Sequence, residues 1–300
     1  MPSRARDKQL AKQYARRQAA KRSTVRRRRT TGGLIGAVVG VTAIVIGLTV
    51  VKGGNTTTPT GSPSVTTSAN PTISPSKPGV PTKIGEVTFQ ASPPSVVACG
   101  GTIPKTAGEA KPQYDAPPDP KKILSAAKEY TAVVTTSCGT FEIKLLANAA
   151  PQTVSSFVFL ARQGFFDGMY VHRISPDFVI QTGDPLGTGS GGPGYQFGLE
   201  VHTSLNFDHV GQVAMANATD PNTNGSQWFV TTGEASNLDQ LYTIFGDVVS
   251  GMDVITEIGG VATGGAQGDT PEQAVYIESV TIKESPKPVG SPTPTGSPSP

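Results

Sequence analysis

The chain has 300 residues, 36% of them hydrophobic, with 35 Gly and 26 Pro, a composition that mixes folded segments with linkers. Two Cys and three His exclude a disulfide-dense miniprotein, a Cys-rich zinc or iron–sulfur centre and a histidine-rich metal site. The net charge of +3 conceals an asymmetry: residues 1–33 hold 12 of the 25 Lys and Arg with one acid, Asp7, so the remainder is acidic.

Residues 1–33 read as a basic arm ending in Arg26–Arg29. Residues 34–51, 18 positions without a charge, follow as an expected transmembrane helix. As a helix they span about 27 Å, against a hydrocarbon core of about 30 Å. The clustered arginines before this run place the N-terminus in the cytoplasm and everything after Val51 outside the cell membrane. The arm is then explained by orientation and anionic lipid, with no nucleic-acid partner required. Residues 52–83 are expected to form a disordered stalk: from Gly53 on, 23 of 31 residues are Ser, Thr, Pro or Gly. Residues 285–300 repeat that chemistry as a disordered tail.

Residues 84–128 are intermediate, Pro-rich but with Val87, Phe89, Val96 and Val97, and read as an extension packing on the domain that follows. In residues 129–284 the pattern sharpens. Tyr130–Thr136 and Thr140–Leu146 are strand-like, with Phe141, Ile143 and Leu145 alternating against Glu142 and Lys144. Pro151 opens a helix that Gly164 closes. Short strands are predicted at Tyr170–Ile174, Phe178–Gln181, Gly211–Ala216, Trp228–Thr232, Thr243–Val248 and Val275–Ile282, with a second helix over Met252–Ile258. Mainly β, with two helices among eight short strands, this predicts a closed eight-stranded antiparallel barrel capped by two α-helices. Cys99 and Cys138, placed outside the membrane, are expected to form a disulfide fastening the extension to the barrel.

Few residues can carry chemistry. No G-x-S-x-G elbow occurs, and the three histidines have no metal-ligand spacing, so no metal site is expected. Gly187–Gly192 matches G-x-G-x-x-G, but Pro193-Gly194 stands where a dinucleotide site needs a helix, and the segment reads as a flexible loop. What remains is Val171-His172-Arg173-Ile174-Ser175-Pro176-Asp177-Phe178-Val179-Ile180-Gln181-Thr182-Gly183-Asp184, then Gly211-Gln212-Val213-Ala214-Met215-Ala216-Asn217-Ala218 and Asn222-Thr223-Asn224-Gly225-Ser226-Gln227-Trp228-Phe229. In this order, with Phe245-Gly246 after them, these segments resemble the cyclophilin family of peptidyl-prolyl cis-trans isomerases.

The resemblance implies that proline-containing polypeptides are the partners, that Arg173 is the catalytic donor and that no cofactor is needed. It makes Phe178, Val179, Phe229 and Leu238 walls of a proline pocket. Gln181, Ala216, Asn217, Ala218 and Gln227 would hold the substrate backbone, with Tyr242 lining the pocket. The chain departs from the family in the loop after Ala218, one residue longer through Thr219-Asp220, and at three pocket positions. Val179 replaces the usual Met, Asn237 stands where drug-sensitive members carry Trp, and Tyr242 stands where they carry His. Weak cyclosporin binding follows from the missing indole. An alternative reading keeps the groove as a proline-peptide-binding chaperone or scaffold module with little catalysis.

Overall fold

A computed structural model describes residues 78–218 and 220–287. The basic arm, the expected transmembrane segment 34–51, the stalk through residue 77 and the tail from residue 288 lie outside the described residues. Among the described residues no helix is long and apolar enough to cross a membrane.

The extension contributes β1 (Lys83–Val87) and β2 (Lys111–Tyr114), paired antiparallel, and one helical turn, α1 (Pro120–Ile123). After it come β3 (Lys128–Thr136), β4 (Gly139–Leu145), α2 (Pro151–Arg162), β5 (Arg173–Ser175), β6 (Val179–Thr182), β7 (Gln212–Met215) and β8 (Trp228–Thr231). The last elements are β9 (Ile244–Ser250), α3 (Met252–Gly259), the two-residue strands β10 (Thr263–Gly264) and β11 (Thr270–Pro271), and β12 (Ile277–Pro286). Eight of these strands form one antiparallel sheet in the order β12-β3-β4-β9-β7-β8-β6-β5.

The ladder has two ends, which corrects the expectation of a fully closed barrel: β12 and β5 do not pair. The sheet curls, and its ends meet where the segment leading into β5 bonds to the start of β12 and the residues just before it. Val171 N–H donates to the Val275 carbonyl at 2.8 Å, Ile277 N–H to that of Met169 at 2.7 Å, and Tyr170 bridges Tyr276. The reason lies in β5, only three residues long, whose Ile174 N–H is taken by the carbonyl of Asp269 at 2.8 Å. The β10–β11 hairpin thus occupies the edge that closure would need.

Helix α2 explains where the core sits. Every residue from Thr153 to Ala161 is buried, and a helix buried all round needs cover on all sides. The curled sheet covers one side, with Phe157 packed against Phe166, Trp228 and Phe245 at centroid distances of 5.0–5.8 Å. The extension covers another: Tyr114 meets Phe159 edge to face at 4.9 Å, and Gln152 Nε2 donates to the Pro118 carbonyl. At the helix start, the free N–H groups of Gln152 and Thr153 donate to the Glu200 carboxylate at 2.9 and 2.8 Å, a charge-assisted cap on the positive end of the helix.

Defined contacts extend past two boundaries drawn from composition. At the end of the expected stalk, the Gly79 carbonyl accepts from Asp119 N–H at 2.9 Å, and Thr82 N–H donates to Asp115 at 2.8 Å. At the start of the expected tail, Ser285 and Pro286 pair with Glu129 and Lys128, and Lys287 N–H reaches the Ala127 carbonyl. Register with β3 overrides the Pro/Ser composition here, because a strand edge accepts Pro where no N–H is required.

Cys99 and Cys138 form the disulfide expected from the sequence, across a separation of 39 residues. The same stretch makes an isolated parallel bridge with the chain ahead of β12: Ala98 N–H donates to the Ala274 carbonyl, and Ala274 N–H to that of Val96. Loop-closure entropy makes such a bond worth about 4 kcal/mol. The double substitution Cys99→Ser/Cys138→Ser is expected to lower unfolding free energy by about 2–4 kcal/mol, read from urea midpoints by the fluorescence of Trp228. An unchanged midpoint contradicts this.

Candidate active site

Successive residues of a strand face opposite sides of the sheet, and that alternation builds the site. Ile174, Ile180, Val213, Met215, Trp228 and Val230 enter the main core. Their neighbours Val179, Ala214 and Phe229 point the other way and join a second apolar cluster with Phe207, Ala235 and Ile244. Phe178, Ala216, Leu238, Tyr242, Leu146 and Leu205 pack partly buried around it. The pocket therefore sits on the outside of the curled sheet, not within it.

Strand register lines up the polar residues beside this cluster. Arg173 pairs with Gln181 across β5 and β6, Gln181 with Phe229 across β6 and β8, and Phe229 with Ala214 across β8 and β7. Directly paired residues project to the same face, so cation, amide and aromatic ring form one row. Arg173 is held by its Nε, which donates to Asp269 Oδ2 at 2.8 Å in a half-buried ion pair. A charge-assisted bond at Nε fixes the plane of the guanidinium.

The amides are fixed as well. Gln181 Nε2 donates to Gln227 Oε1 at 3.0 Å, and Gln227 Nε2 donates to the carbonyls of Gly189 and Gly191 at 3.0 and 2.9 Å. On the apolar side, the Phe229 ring stacks on Phe207 at 6.0 Å and meets Tyr242 edge-on at 5.4 Å. Leu238 lies in a short 3-10 turn, Ser236–Leu238, whose Asn237 is exposed. Phe178 follows Asp177, held at φ 57°, in the turn joining β5 and β6.

The structure brings together Arg173, Gln181 and Gln227 with Val179, Phe229, Phe178, Leu238, Ala216 and Tyr242. Asn217 lies at the rim, and its Nδ2 already donates to the Leu241 carbonyl at 3.0 Å. Ala218 N–H donates to Thr223 Oγ1 at 2.8 Å in the turn that follows. Two residues with roles here escaped the sequence reading, Phe207 and Asp269. Both sit in Gly-punctuated segments without periodicity. A half-buried arginine does call for an orienting carboxylate, but its partner lies 96 residues away, and spacing carries no trace of it.

The loop 184–194 corrects a further expectation, because it is not loose. The Asp184 carboxylate accepts from the N–H groups of Leu186 and Gly189 at 2.8 and 2.5 Å, and Tyr170 Oη donates to the Gly187 carbonyl at 2.9 Å. Burial pushes that phenol up to about 12, so it remains a donor at neutral pH.

His172, inward of Arg173, has its Nδ1 buried with no hydrogen-bond partner. Burial lowers its pKa to about 4, against the opposing pull of Asp184 and Asp269 and with the added push of Arg173. The native protein therefore takes up no proton here between about pH 6.5 and 4, whereas the unfolded chain does, so stability falls as pH drops through that window. The raised His209 has the opposite sign but is an exposed group. Unfolding free energy between pH 7 and pH 4.5 is expected to fall by about 2 kcal/mol more in the wild type than in His172→Gln. Parallel pH profiles from urea titrations contradict it.

Comparison with known proteins agrees with this geometry. The family model described as cyclophilin type peptidyl-prolyl cis-trans isomerase/CLD matches residues 131–282. Peptidyl-prolyl cis-trans isomerase A of Mycobacterium tuberculosis is 44% identical over 170 residues, covering 51% of this chain and 91% of that protein. A peptidyl-prolyl cis-trans isomerase of Schizosaccharomyces pombe is 47% identical over 131 residues, covering 43% and 84%. Among solved structures, a cyclophilin-type isomerase of Cryptosporidium parvum superposes with a TM-score of 0.50 at 28% identity, covering 53% of this chain and 99% of that one. The row of Arg173, Gln181 and Phe229 beside an outward apolar pocket, carried on a matching half-chain, makes this protein a member of the cyclophilin-type peptidyl-prolyl cis-trans isomerases.

Proposed function

We propose that the chain accelerates X–Pro isomerisation in polypeptides outside a cell membrane, with Arg173 assisting rotation of the amide. An X–Pro bond rotates over a barrier of about 18–20 kcal/mol set by amide resonance, and no covalent bond need break. As the bond twists, the prolyl nitrogen becomes pyramidal and gains a lone pair. A donor fixed beside it stabilises that state more than the planar one. The observation that carries this reading is the Arg173 guanidinium, anchored through Nε by Asp269 in register with Gln181 and beside the cluster of Val179, Phe229 and Leu238. The proline ring would enter the apolar cluster while the glutamines hold the peptide backbone. A gain of about 10⁵ in rate needs about 7 kcal/mol, within reach of one such donor with apolar anchoring.

The extracytoplasmic placement is supported by the arginine-flanked apolar run at residues 34–51 and by the Cys99–Cys138 disulfide, a bond that persists in oxidising surroundings. A second reading, a proline-peptide-binding module with little turnover, is favoured by Asn237 and Tyr242 at the pocket rim.

Isomerisation of a proline tetrapeptide by the full chain, measured beside Arg173→Ala, separates these readings. Loss of about 10²–10³ in kcat/KM with the substitution is the expected result. Peptide affinity without catalysis in either protein supports the binding module instead. In the same assay cyclosporin is expected to inhibit weakly, since Asn237 supplies neither an indole donor nor an apolar wall. Inhibition at nanomolar concentration contradicts that.

A further inference from the structure

We infer that the N-terminal extension is a positioning element of the isomerase site, in which Phe89 and Gln113 hold the loop 184–194 so that its carbonyls fix the side-chain amide of Gln227. The inference rests on the reading of the Arg173 face as a proline-peptide site.

A carboxamide has two N–H donors on one side and an acceptor on the other, and either orientation fills the same space. For Gln227 the loop decides. Its Nε2 faces two carbonyl oxygens, Gly189 O at 3.0 Å and Gly191 O at 2.9 Å, and the opposite orientation would set oxygen against oxygen. With both N–H groups used, Oε1 is left for Gln181, which must donate to it. Gln181 then keeps one N–H and its own carbonyl oxygen for a peptide backbone. The polarity of the glutamine pair is therefore set by the placement of two glycine carbonyls.

A loop with glycine at 187, 189, 191, 192 and 194 has little side-chain packing of its own, so its placement must come from elsewhere. Asp184 supplies part from within. The extension supplies the rest along the outer side. Leu186 O accepts from the N–H groups of Gln90 and Ala91 at 3.0 and 3.1 Å, Gly192 O from Gln113 Nε2 at 2.8 Å, and Pro193 O from Tyr114 N–H at 2.8 Å. The Phe89 ring rests on Gly187, where an added Cβ would lie 2.5 Å from Phe89 Cε2, and meets Tyr170 edge to face at 5.8 Å. Gly194, at φ +94°, passes against the backbone of Tyr114 in the same way. The extension therefore contacts the loop from Leu186 to Gly194, and the loop contacts Gln227.

Phe89→Ala and Gln113→Ala are made in the full chain, each alone and in a Gln227→Ala background. Kd for a proline tetrapeptide is read by NMR titration, KM and kcat by cis/trans exchange, and folding by thermal melting and Trp228 fluorescence. Each single substitution is expected to raise Kd and KM roughly threefold to tenfold, the worth of one hydrogen bond, with kcat within about twofold. Neither has a further effect once Gln227 is Ala, and Phe89→Leu restores the wild-type values. Unchanged Kd and KM in a folded variant, or an equal increase in the Gln227→Ala background, overturns the inference. Should Phe89→Ala fail to fold, Gln113→Ala, which deletes one amide, decides alone. If the wild type binds peptide without turning it over, the isomerase reading falls while the Kd series still decides the role of the extension. If it neither binds nor turns over, both fall.

Discussion

The central strands of this sheet are buried on both faces, and the rest of the site follows from that. A strand with one wet face alternates, as β3 does, with Tyr130, Ala132, Val134 and Thr136 buried and their neighbours less so. In β7 and β8 every residue is buried, and in β6 only Gln181 is not. One face is covered by α2 and the aromatic core. Among the described residues no α-helix packs on the other, and its apolar residues are gathered instead into a cluster by the segments carrying Phe207, Leu238 and Tyr242. A buried apolar floor rimmed by the partly buried Phe178, Ala216, Leu238 and Tyr242, with polar groups set along one margin, suits a groove for a proline-containing chain.

The electrostatics of the margin are simple. Arg173 contributes the positive charge, and Asp269 holds it in place without being fully buried itself. His172 comes just before it in sequence but stays neutral above about pH 4 because its burial disfavours a proton. The Tyr170 phenol stays protonated for the same reason with opposite sign. At neutral pH the row thus presents one oriented guanidinium, paired with Asp269, followed by neutral amides.

Much of this was legible in the sequence, for particular reasons. Alternation at Phe141, Ile143 and Leu145, and Pro151 at a helix start, placed β4 and α2 within a residue or two. Each of the eight predicted strands overlaps a strand of the sheet, although Tyr170–Ile174 starts three residues before β5 and Val275–Ile282 stops four residues before β12 ends. Other features had no local signal. Whether the last strand pairs with β5 depends on the Ile174–Asp269 hydrogen bond, a contact made by tertiary structure alone. The glycines of loop 184–194 suggest mobility by composition, yet Gly187 and Gly194 are glycines because Phe89 and Tyr114 lie against them. The extension was read as packing on the domain, but its strands β1 and β2 were not, since their order comes from packing on α2 and on that loop rather than from periodicity.

The covalent link between Cys99 and Cys138 also sets how the domain bears load. Tension arriving through the chain before residue 78 would first shear the segment containing β1. It could peel that segment only as far as Cys99, where the force passes through sulfur into the bend joining β3 and β4. Hydrogen-bonded ladders yield far below the strength of an S–S bond, so the linkage acts as a mechanical stop. A pull on the leading end would therefore bypass residues 100–137, β2 and β3 among them, and reach the sheet at the start of β4.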